Sequence, residues 1–202
     1  MLIQNRTIWT PDNSYLLEYR ERAATGEILI GQELRQELDN LKADFSNDRY
    51  FYDTEAAHLR MDFMEHCVRL TKSPFYNKPM QLMLWQKAFI EAIYSFKMAQ
   101  ESKDAGLMID RFKKILLLIA RKNGKSETCS GLGLSEFVVG NEGADLVCSS
   151  NDDTQASITF DAIDTMRQLI DPNDLDTKRN QRYILNKNSG SKIFKLSDRT
   201  KN

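Results

Sequence analysis

Cysteine and histidine are scarce in this 202-residue chain, which has three cysteines and two histidines. Cys67, Cys129 and Cys148 are odd in number, far apart and without a C-x-x-C pair, so the sequence favours a reducing compartment and ordinary buried thiols. His58 and His66 have no third ligand at metal spacing. We therefore expect both histidines to lie beside the core or on the surface.

Long apolar runs are missing as well. No stretch has the length of a membrane-spanning helix, and residues 1–9 lack the apolar segment of a signal peptide. No internal repeat or low-complexity tract is present. The sequence thus predicts a cytoplasmic protein with no membrane partner.

Charge is ordinary in amount but uneven in position. Charged residues make up 28% of the chain and hydrophobic residues 41%, as in a globular protein with a buried core. Residues 27–65 contain ten acidic and four basic residues, whereas residues 178–202 contain eight basic residues and one acidic residue. This basic segment can follow a phosphate backbone or form a solvated surface, and charge alone favours neither.

The first half of the chain has the apolar periodicity of amphipathic helices. Helices are predicted over Tyr15–Ala24, residues 31–43 and residues 80–96, the first after a capping turn at residues 11–14. Asp53 or Thr54 is expected to cap a further helix, whose predicted core face is Leu59, Phe63, Met64, Cys67 and Leu70. We interpret residues 1–72 as a helical N-terminal extension and residues 73–202 as part of a second domain.

The second half alternates predicted strands and helices. Apolar runs at residues 115–119 and 144–149 predict buried strands, and Lys125–Val139 predicts a helix between them. A cap at residues 151–154 begins a last helix, whose predicted core face is Ala156, Phe160, Ile163, Met166 and Ile170. Two short strands at residues 183–185 and 191–196 form a predicted hairpin. The pattern is that of an α/β fold with a parallel sheet flanked by helices.

A basic turn containing glycine separates the first predicted strand from its helix. Gly124, Lys125 and Ser126 match the end of a phosphate-binding loop, although Ile119 stands where the first glycine of the usual pattern is expected. In such a loop, Lys125 contacts the β- and γ-phosphates of ATP and Ser126 binds Mg²⁺. Arg121 can neutralise charge on the γ-phosphate. The alternative is a basic turn that binds nothing.

Two further features accompany this turn. Gln86, beside Trp85, lies about thirty residues before the phosphate loop, where its amide can face an adenine edge or simply face solvent. Gly131 and Gly133 weaken the helix after the turn and indicate close packing against the sheet. The predicted cofactor-binding residues are Gln86, Arg121, Lys122, Asn123, Gly124, Lys125, Ser126 and Glu127. Of these, Lys125 and Arg121 are also the predicted catalytic residues, and Ser126 is the predicted metal ligand.

With these motifs the sequence resembles the large subunit of tailed-phage terminases, the ATP-driven motors that package DNA. That family has a variant phosphate loop with an arginine near its start and often without the first glycine, as in residues 120–126. It also has an upstream Trp-Gln, an acid-flanked aromatic patch before a helix, a strand followed by a turn like DDTQA, and a hairpin like the one ending in SKIFKLSD. The similarity runs from about Arg49 to Asp198.

The resemblance implies a P-loop NTPase-type fold that binds ATP and Mg²⁺ and, in the complete protein, hydrolyses ATP to package double-stranded DNA and also cuts DNA. Implied partners are double-stranded DNA, a small terminase subunit, the portal protein and further copies of the chain. The implied location is the cytoplasm of the infected host. The basic segment is expected to lie near DNA or a neighbouring subunit.

The sequence departs from the family after the hairpin. Family members have an apolar strand there that ends in Asp-Glu, whereas the only acid after this hairpin is Asp198, with no apolar run before it. Glu136 and Glu142 belong to a different element. We expect a chain truncated before the Walker B strand and the nuclease domain, which binds nucleotide weakly and hydrolyses little by itself. The alternatives are a non-catalytic nucleic-acid-binding or assembly module and a helicase-like P-loop NTPase.

Overall fold

A computed structural model of the chain describes residues 8–150 and 152–197. Seven helices and six strands occur in these residues: α1 (Tyr15–Ala24), α2 (Gln32–Asp44), β1 (Tyr50–Tyr52), α3 (Glu55–His66), α4 (Leu84–Ser95), β2 (Phe96–Met98), α5 (Ala99–Ala105), α6 (Lys125–Val139), β3 (Asp145–Ser150), α7 (Asp153–Ile170), β4 (Thr177–Arg179), β5 (Tyr183–Asn186) and β6 (Lys192–Ser197). None of the helices in this part of the chain is both long and apolar enough to cross a membrane. The chain divides into two compact units.

The first unit consists of the described residues up to His58 together with Leu82–Leu117. Its core combines leucines of α1 and α2 with Phe96 at the start of β2. The ring centroid of Tyr52 lies 4.4 Å from that of Phe45 and 4.7 Å from that of Phe96, and β1 pairs with β2 in antiparallel fashion. The predicted helices over Tyr15–Ala24 and residues 31–43 are confirmed, since α1 has the expected bounds and α2 differs by one residue at each end.

A buried carboxylate closes the N-terminus of α1. The side chain of Glu91, on α4, is fully buried and accepts hydrogen bonds from the backbone N–H of Leu16 at 2.6 Å and the hydroxyl of Ser14 at 2.9 Å. Its other oxygen lies 3.1 Å from Nε2 of His58. Burial raises the pKa of Glu91, and the hydrogen bonds from Leu16, Ser14 and His58 act in the opposite direction.

Both histidines are engaged in hydrogen bonds instead of metal-ligand geometry. His58 faces Glu91, and Nδ1 of His66 lies 2.8 Å from the carbonyl oxygen of Asp62. The described residues contain no group of three His, Cys, Asp or Glu side chains that can hold a metal ion. Both histidines lie beside the core or on the surface, as expected, since His58 is partly buried and His66 is exposed.

The second unit consists of Leu59–Gln81 and the described residues from Leu118 onward. Its sheet has the order β3-β6-β5-β4, in which β3 and β6 are parallel and the other pairs are antiparallel. The predicted hairpin is confirmed as β5 and β6. The sheet is mixed instead of parallel, because the hairpin pairs β5 with β6 in antiparallel fashion, and β4, which the sequence did not reveal, adds a second antiparallel pair.

The predicted strand at residues 115–119 is wrong. Residues 114–120 belong to no strand, and the side chains of Ile115, Leu116 and Leu118 are 52%, 86% and 87% exposed. An apolar run signals a preference for burial but does not specify a pairing partner. The strand predicted at residues 144–149 is formed as β3, but it alternates between exposed and half-buried residues and is not buried on both faces.

Three burial predictions also need correction. The buried face of α3 and the residues after it is Ala57, Arg60, Met61, Met64 and Val68, so only Met64 belongs to the predicted stripe. Arg60 can join this face because its Nε donates to Glu136 at 2.6 Å. On α7 the predicted core face is buried except for Ile170. The thiols are not buried, since Cys67 and Cys129 are exposed and Cys148 is half-buried.

The expected boundary between residues 72 and 73 lies inside the second unit. The predicted boundary separates an N-terminal extension from a domain. The two compact units are a different kind of division and do not test it. That boundary stays a prediction.

Candidate phosphate-binding site

The turn before α6 has the backbone shape that a glycine-containing loop requires. Lys122 and Gly124 both have positive φ, of 67° and 73°. Gly124 is the N-cap of α6, and glycine adopts this left-handed conformation at no steric cost. Nδ2 of Asn123 donates to the carbonyl oxygen of Ala120 at 3.4 Å, which closes the turn on itself. The chain therefore reverses within four residues and enters the helix directly.

The N-terminus of α6 is not capped by a side chain. The first N–H groups of an α-helix have no acceptor within the helix, and together with the helix dipole they form a site that favours anions. The N–H and hydroxyl of Thr128 both donate to the carbonyl oxygen of Gly124 at 2.9 Å, so the first turn is closed from within. The N–H groups before Thr128 can therefore donate hydrogen bonds to an anion that binds at the start of the helix.

The side chains of the loop lie in solvent. Arg121, Lys122, Asn123, Lys125 and Ser126 are exposed, and Glu127 is half-buried. Lys125 is the first residue of α6 and Ser126 the second. Although Cys129 is exposed as a residue, partial desolvation of its thiol raises the pKa of Cys129, and the positive charge of Lys125 opposes that rise. Seven of the eight predicted cofactor-binding residues are thus neighbours on one turn.

Gln86, the eighth predicted residue, belongs to the first unit. Its side chain is only 7% exposed, and its Oε1 accepts a hydrogen bond from the backbone N–H of Met83 at 2.7 Å. Gln86 therefore caps the helix on which it lies, and the alternative of a solvent-facing glutamine is wrong. Contact with an adenine stays a prediction for this residue.

Close packing holds α6 in place behind the loop. A Cβ atom at Gly131 would lie 3.0 Å from Sδ of Met80, and one at Gly133 would lie 3.2 Å from Cδ1 of Ile163. The glycines therefore mark close packing, as predicted, but the partners are methionine side chains and α7 and not the sheet. At the other end, Nδ2 of Asn186 donates to the carbonyl oxygen of Phe137 at 3.1 Å.

A loop for which the sequence predicted no role lies beside α6. We call residues 70–78 the aromatic loop, because its tip carries Phe75 and Tyr76, which are 55% and 59% exposed. Nζ of Lys72 lies 3.9 Å from Oε1 of Glu127, the third residue of α6. A signal that could have identified this loop is the pair Phe75-Tyr76 flanked by Lys72 and Lys78, since aromatic residues near basic ones are typical of nucleic-acid-binding surfaces.

Two cavities among the described residues of the second unit lie away from the loop, since residues 121–127 do not line them. One of about 320 Å³ lies beside α6 and β3 and is lined in part by Cys129 and Cys148. The other, of about 500 Å³, lies at the C-terminal end of α6. Its buried Arg167 is paired with Asp164 at 2.8 Å and Asp174 at 2.6 Å. The phosphate loop is thus an open surface feature.

Part of the charge of the basic segment is paired with other side chains of the same unit. Arg179 forms ion pairs with Asp161 at 2.9 Å and Asp164 at 2.6 Å, and Nζ of Lys195 donates to the hydroxyl of Ser157 at 3.1 Å. These contacts favour a structural role for the two side chains over a surface open to a phosphate backbone. Asp198, the only acid after the hairpin, lies outside the described residues.

Comparison with known proteins gives a match in fold. No protein-family model matches the sequence, and no curated protein matches it. Among solved structures, the chain is similar to the large terminase of bacteriophage HK97, with a TM-score of 0.56 and 22% sequence identity. The match covers 72% of this chain and 28% of the terminase chain, so this chain spans less than a third of the terminase's length. The resemblance to a phage large terminase is confirmed at the level of the fold.

Proposed function

We propose that this chain is the ATP-binding portion of a phage terminase large subunit, the motor that couples ATP hydrolysis to the packaging of double-stranded DNA. The observation that carries the proposal is the Gly-Lys-Ser turn at the uncapped N-terminus of α6, in a chain whose fold is similar to a large terminase. An uncapped helix end offers N–H donors and a positive dipole to phosphate oxygens. Both features suit a nucleoside triphosphate.

Each loop residue has a role in this proposal. The N–H groups of Asn123–Ser126 cradle the phosphates, Lys125 contacts the β- and γ-phosphates, and Arg121 neutralises charge on the γ-phosphate. Lys122 and Glu127 flank the phosphates, and Gln86 contacts the adenine. Phosphoryl transfer depends mainly on positioning and charge stabilisation, which a basic loop of this kind supplies.

Mg²⁺ is the cofactor that this chemistry requires. The hydroxyl of Ser126 is exposed on the first turn of α6, and a hard oxygen donor of this type fits Mg²⁺. When bound, the ion would offset the negative charge of the phosphates. The residue that activates the attacking water is not among the loop residues, so we propose that this chain hydrolyses little ATP by itself. In the complete motor the proposed partners are double-stranded DNA, a small terminase subunit, the portal protein and further copies of the chain.

Binding of ATP to point variants tests the proposal. We expect Lys125→Ala to weaken binding about 10- to 100-fold, because charge-assisted hydrogen bonds to phosphate are lost. Arg121→Ala is expected to weaken ATP binding more than ADP binding, because its proposed contact is the γ-phosphate. Lys103→Ala, which removes the same charge from an exposed position on α5, is the matched control. Equal affinity of Lys125→Ala and the wild type would overturn the proposal.

Gln86 needs a variant that separates capping from recognition. Glu in place of Gln keeps an oxygen that can accept from the N–H of Met83 but removes the amide donor. Gln86→Glu should therefore weaken ATP binding, measured at a temperature well below the thermal unfolding midpoint of the variant, because a carboxylate at this buried position also lowers stability. Unchanged ATP binding in Gln86→Glu would remove Gln86 from the site and leave the loop assignment intact.

One observation favours a second function, a non-catalytic nucleic-acid-binding or assembly module. The apolar residues before the loop are not paired in the sheet, so the loop lacks the strand that normally precedes a phosphate loop. The two functions differ in a simple measurement. A module of this kind binds duplex DNA or a capsid protein but shows no Lys125-dependent binding of ATP.

A further inference from the structure

We propose that the aromatic loop is a base platform, on which Phe75 or Tyr76 stacks against the purine of a nucleotide whose phosphates bind at the N-terminus of α6. This inference rests on the proposed function and names the residues that recognise the base. Three observations carry it: the loop is rigid, it lies beside the start of α6, and its exposed side chains suit a nucleobase.

Backbone hydrogen bonds hold the loop as a narrow hairpin. The N–H of Leu70 donates to the carbonyl oxygen of Lys78 at 2.9 Å, and the N–H of Asn77 donates back to the carbonyl oxygen of Leu70 at 2.8 Å. At its tip the N–H of Phe75 donates to the carbonyl oxygen of Lys72 at 3.0 Å. The exposed rings are therefore carried by a fixed backbone, which reduces the conformational entropy that a ligand must offset on binding.

The base of the loop is anchored to the helix that begins at the phosphate loop. Val68 and Met80 are buried, and the N–H of Met80 donates to the carbonyl oxygen of Val68 at 3.0 Å. The Met80 side chain fills the space left by Gly131 of α6, where a Cβ atom would lie 3.0 Å away. A larger residue at position 131 would push this anchor away from α6.

One side of the loop lies beside the first turn of α6. Lys72 and Glu127 form a solvent-exposed ion pair at 3.9 Å, which adds little stability but shows that Lys72 lies next to the third residue of α6. Phe75 is three residues from Lys72, so their Cα atoms are within about 11 Å of each other even in extended chain. A nucleotide held by its phosphates at α6 can place its base within this distance.

The side chains at the tip have the chemistry of a base-binding surface. Two adjacent aromatic rings are more than half exposed, although large apolar side chains gain free energy when they are covered. Nζ of Lys78 lies 5.5 Å from the centroid of the Phe75 ring, and the Lys72 side chain is 74% exposed. Aromatic rings beside cations bind nucleobases by stacking, and the cations favour the attached phosphates.

Titration calorimetry with two ligands, ATP and inorganic tripolyphosphate, tests the platform. Both ligands carry the phosphates, but only ATP carries a base. We expect Phe75→Ala or Tyr76→Ala to weaken ATP binding roughly 5- to 100-fold and to leave tripolyphosphate binding unchanged. Phe75→Tyr, which keeps the ring, should bind ATP like the wild type. Leu29→Ala, at a 92% exposed apolar position in the first unit, is the control for loss of surface apolar area.

The outcomes separate this inference from the proposed function. If Lys125→Ala weakens both ligands while Phe75→Ala and Tyr76→Ala bind ATP normally, the platform is wrong and the phosphate site stands. If the wild type binds neither ligand, both the base platform and the proposed function are wrong. If the loop variants bind ATP normally but lose affinity for duplex DNA, the loop contacts nucleic acid and the platform is overturned. Equal weakening of both ligands with a lower thermal midpoint would assign the loop a structural role and would also overturn the platform.

Discussion

Helices α1 and α6 both begin at a turn, but side chains close the first helix and leave the second open. At α1, Ser14 is the N-cap, with its hydroxyl 3.3 Å from the N–H of Leu17, and Glu91 accepts from the N–H of Leu16. At α6, the N-cap is Gly124, which has no side chain, and no side-chain capping hydrogen bond is found there within the described residues. Because every α-helix has such N–H groups, the difference lies in whether the protein supplies its own acceptor. A helix start without one is available to a ligand.

The largest expected effect on stability comes from removing the side chain that caps the N-terminus of α1. Glu91→Ala removes a fully buried acceptor and leaves the N–H of Leu16 and the hydroxyl of Ser14 without their partner. We expect the free energy of unfolding to fall by about 3 kcal/mol, measured by urea denaturation. Glu101→Ala, at an exposed acid on α5, should change it by less than about 0.5 kcal/mol. Similar losses in the two variants would show that the Glu91 contacts do not stabilise the protein.

The next largest effect on stability is expected from binding an anion at the uncapped N-terminus of α6. A ligand that binds only the folded protein stabilises it by about 2.7 kcal/mol when present at one hundred times its Kd. We therefore expect tripolyphosphate to raise the unfolding midpoint of the wild type and of Ser14→Ala, and to raise that of Lys125→Ala by much less. Differential scanning fluorimetry checks this prediction. Equal shifts with and without Lys125 would place the anion elsewhere.

A smaller effect is expected at α7, which is closed by one side chain. Oδ1 of Asp152 accepts from the N–H groups of Thr154 at 2.8 Å and Gln155 at 3.3 Å. Asp152→Ala should lower the free energy of unfolding by about 1 kcal/mol, whereas Asp152→Asn keeps an acceptor and should lower it much less. Equal losses from alanine and asparagine would contradict the capping role. Thermal or urea unfolding of the three proteins is the measurement.

The smallest effect is the pH dependence contributed by Glu91. Because burial raises its pKa in the folded protein above the ordinary value of 4.5, protonation stabilises the fold. This contribution is fully present below pH 4.5 and is lost as the pH rises through the folded pKa. The opposing hydrogen bonds keep the effect small. The free energy of unfolding of the wild type should therefore fall relative to Glu91→Gln as the pH rises from 4.5, and a constant difference would contradict the shift.

Local signals made the helix boundaries predictable. α1 and α6 have the bounds expected from sequence, because Ser14 and Gly124 determine where each helix begins through contacts within a few residues. The same holds for the phosphate loop, since residues 121–127 are adjacent in sequence and are necessarily neighbours in space. The hairpin of β5 and β6 follows from its turn, where Gly190 has a φ of 75°.

Features that depend on distant partners were not predictable. The apolar run at residues 115–119 was expected in a sheet, but whether a strand pairs depends on a partner that its own sequence does not name. β4 is short and carries Thr177 and two basic residues, so it lacks the apolar pattern of a strand and forms because it pairs with β5. The buried face of α3 includes Arg60, whose burial depends on Glu136, 76 residues away. The place of the aromatic loop beside α6 likewise follows from packing against Gly131.

The exposed apolar run before the phosphate loop has a practical consequence for work with the protein. Ile115, Leu116 and Leu118 are β-prone or apolar residues without charge between them, and in the described sheet β3 is paired on one side only. Segments of this kind associate with copies of themselves when concentrated. Purified protein should therefore form larger species as its concentration rises, and affinity measurements belong at low protein concentration, with light scattering as the check on dispersity.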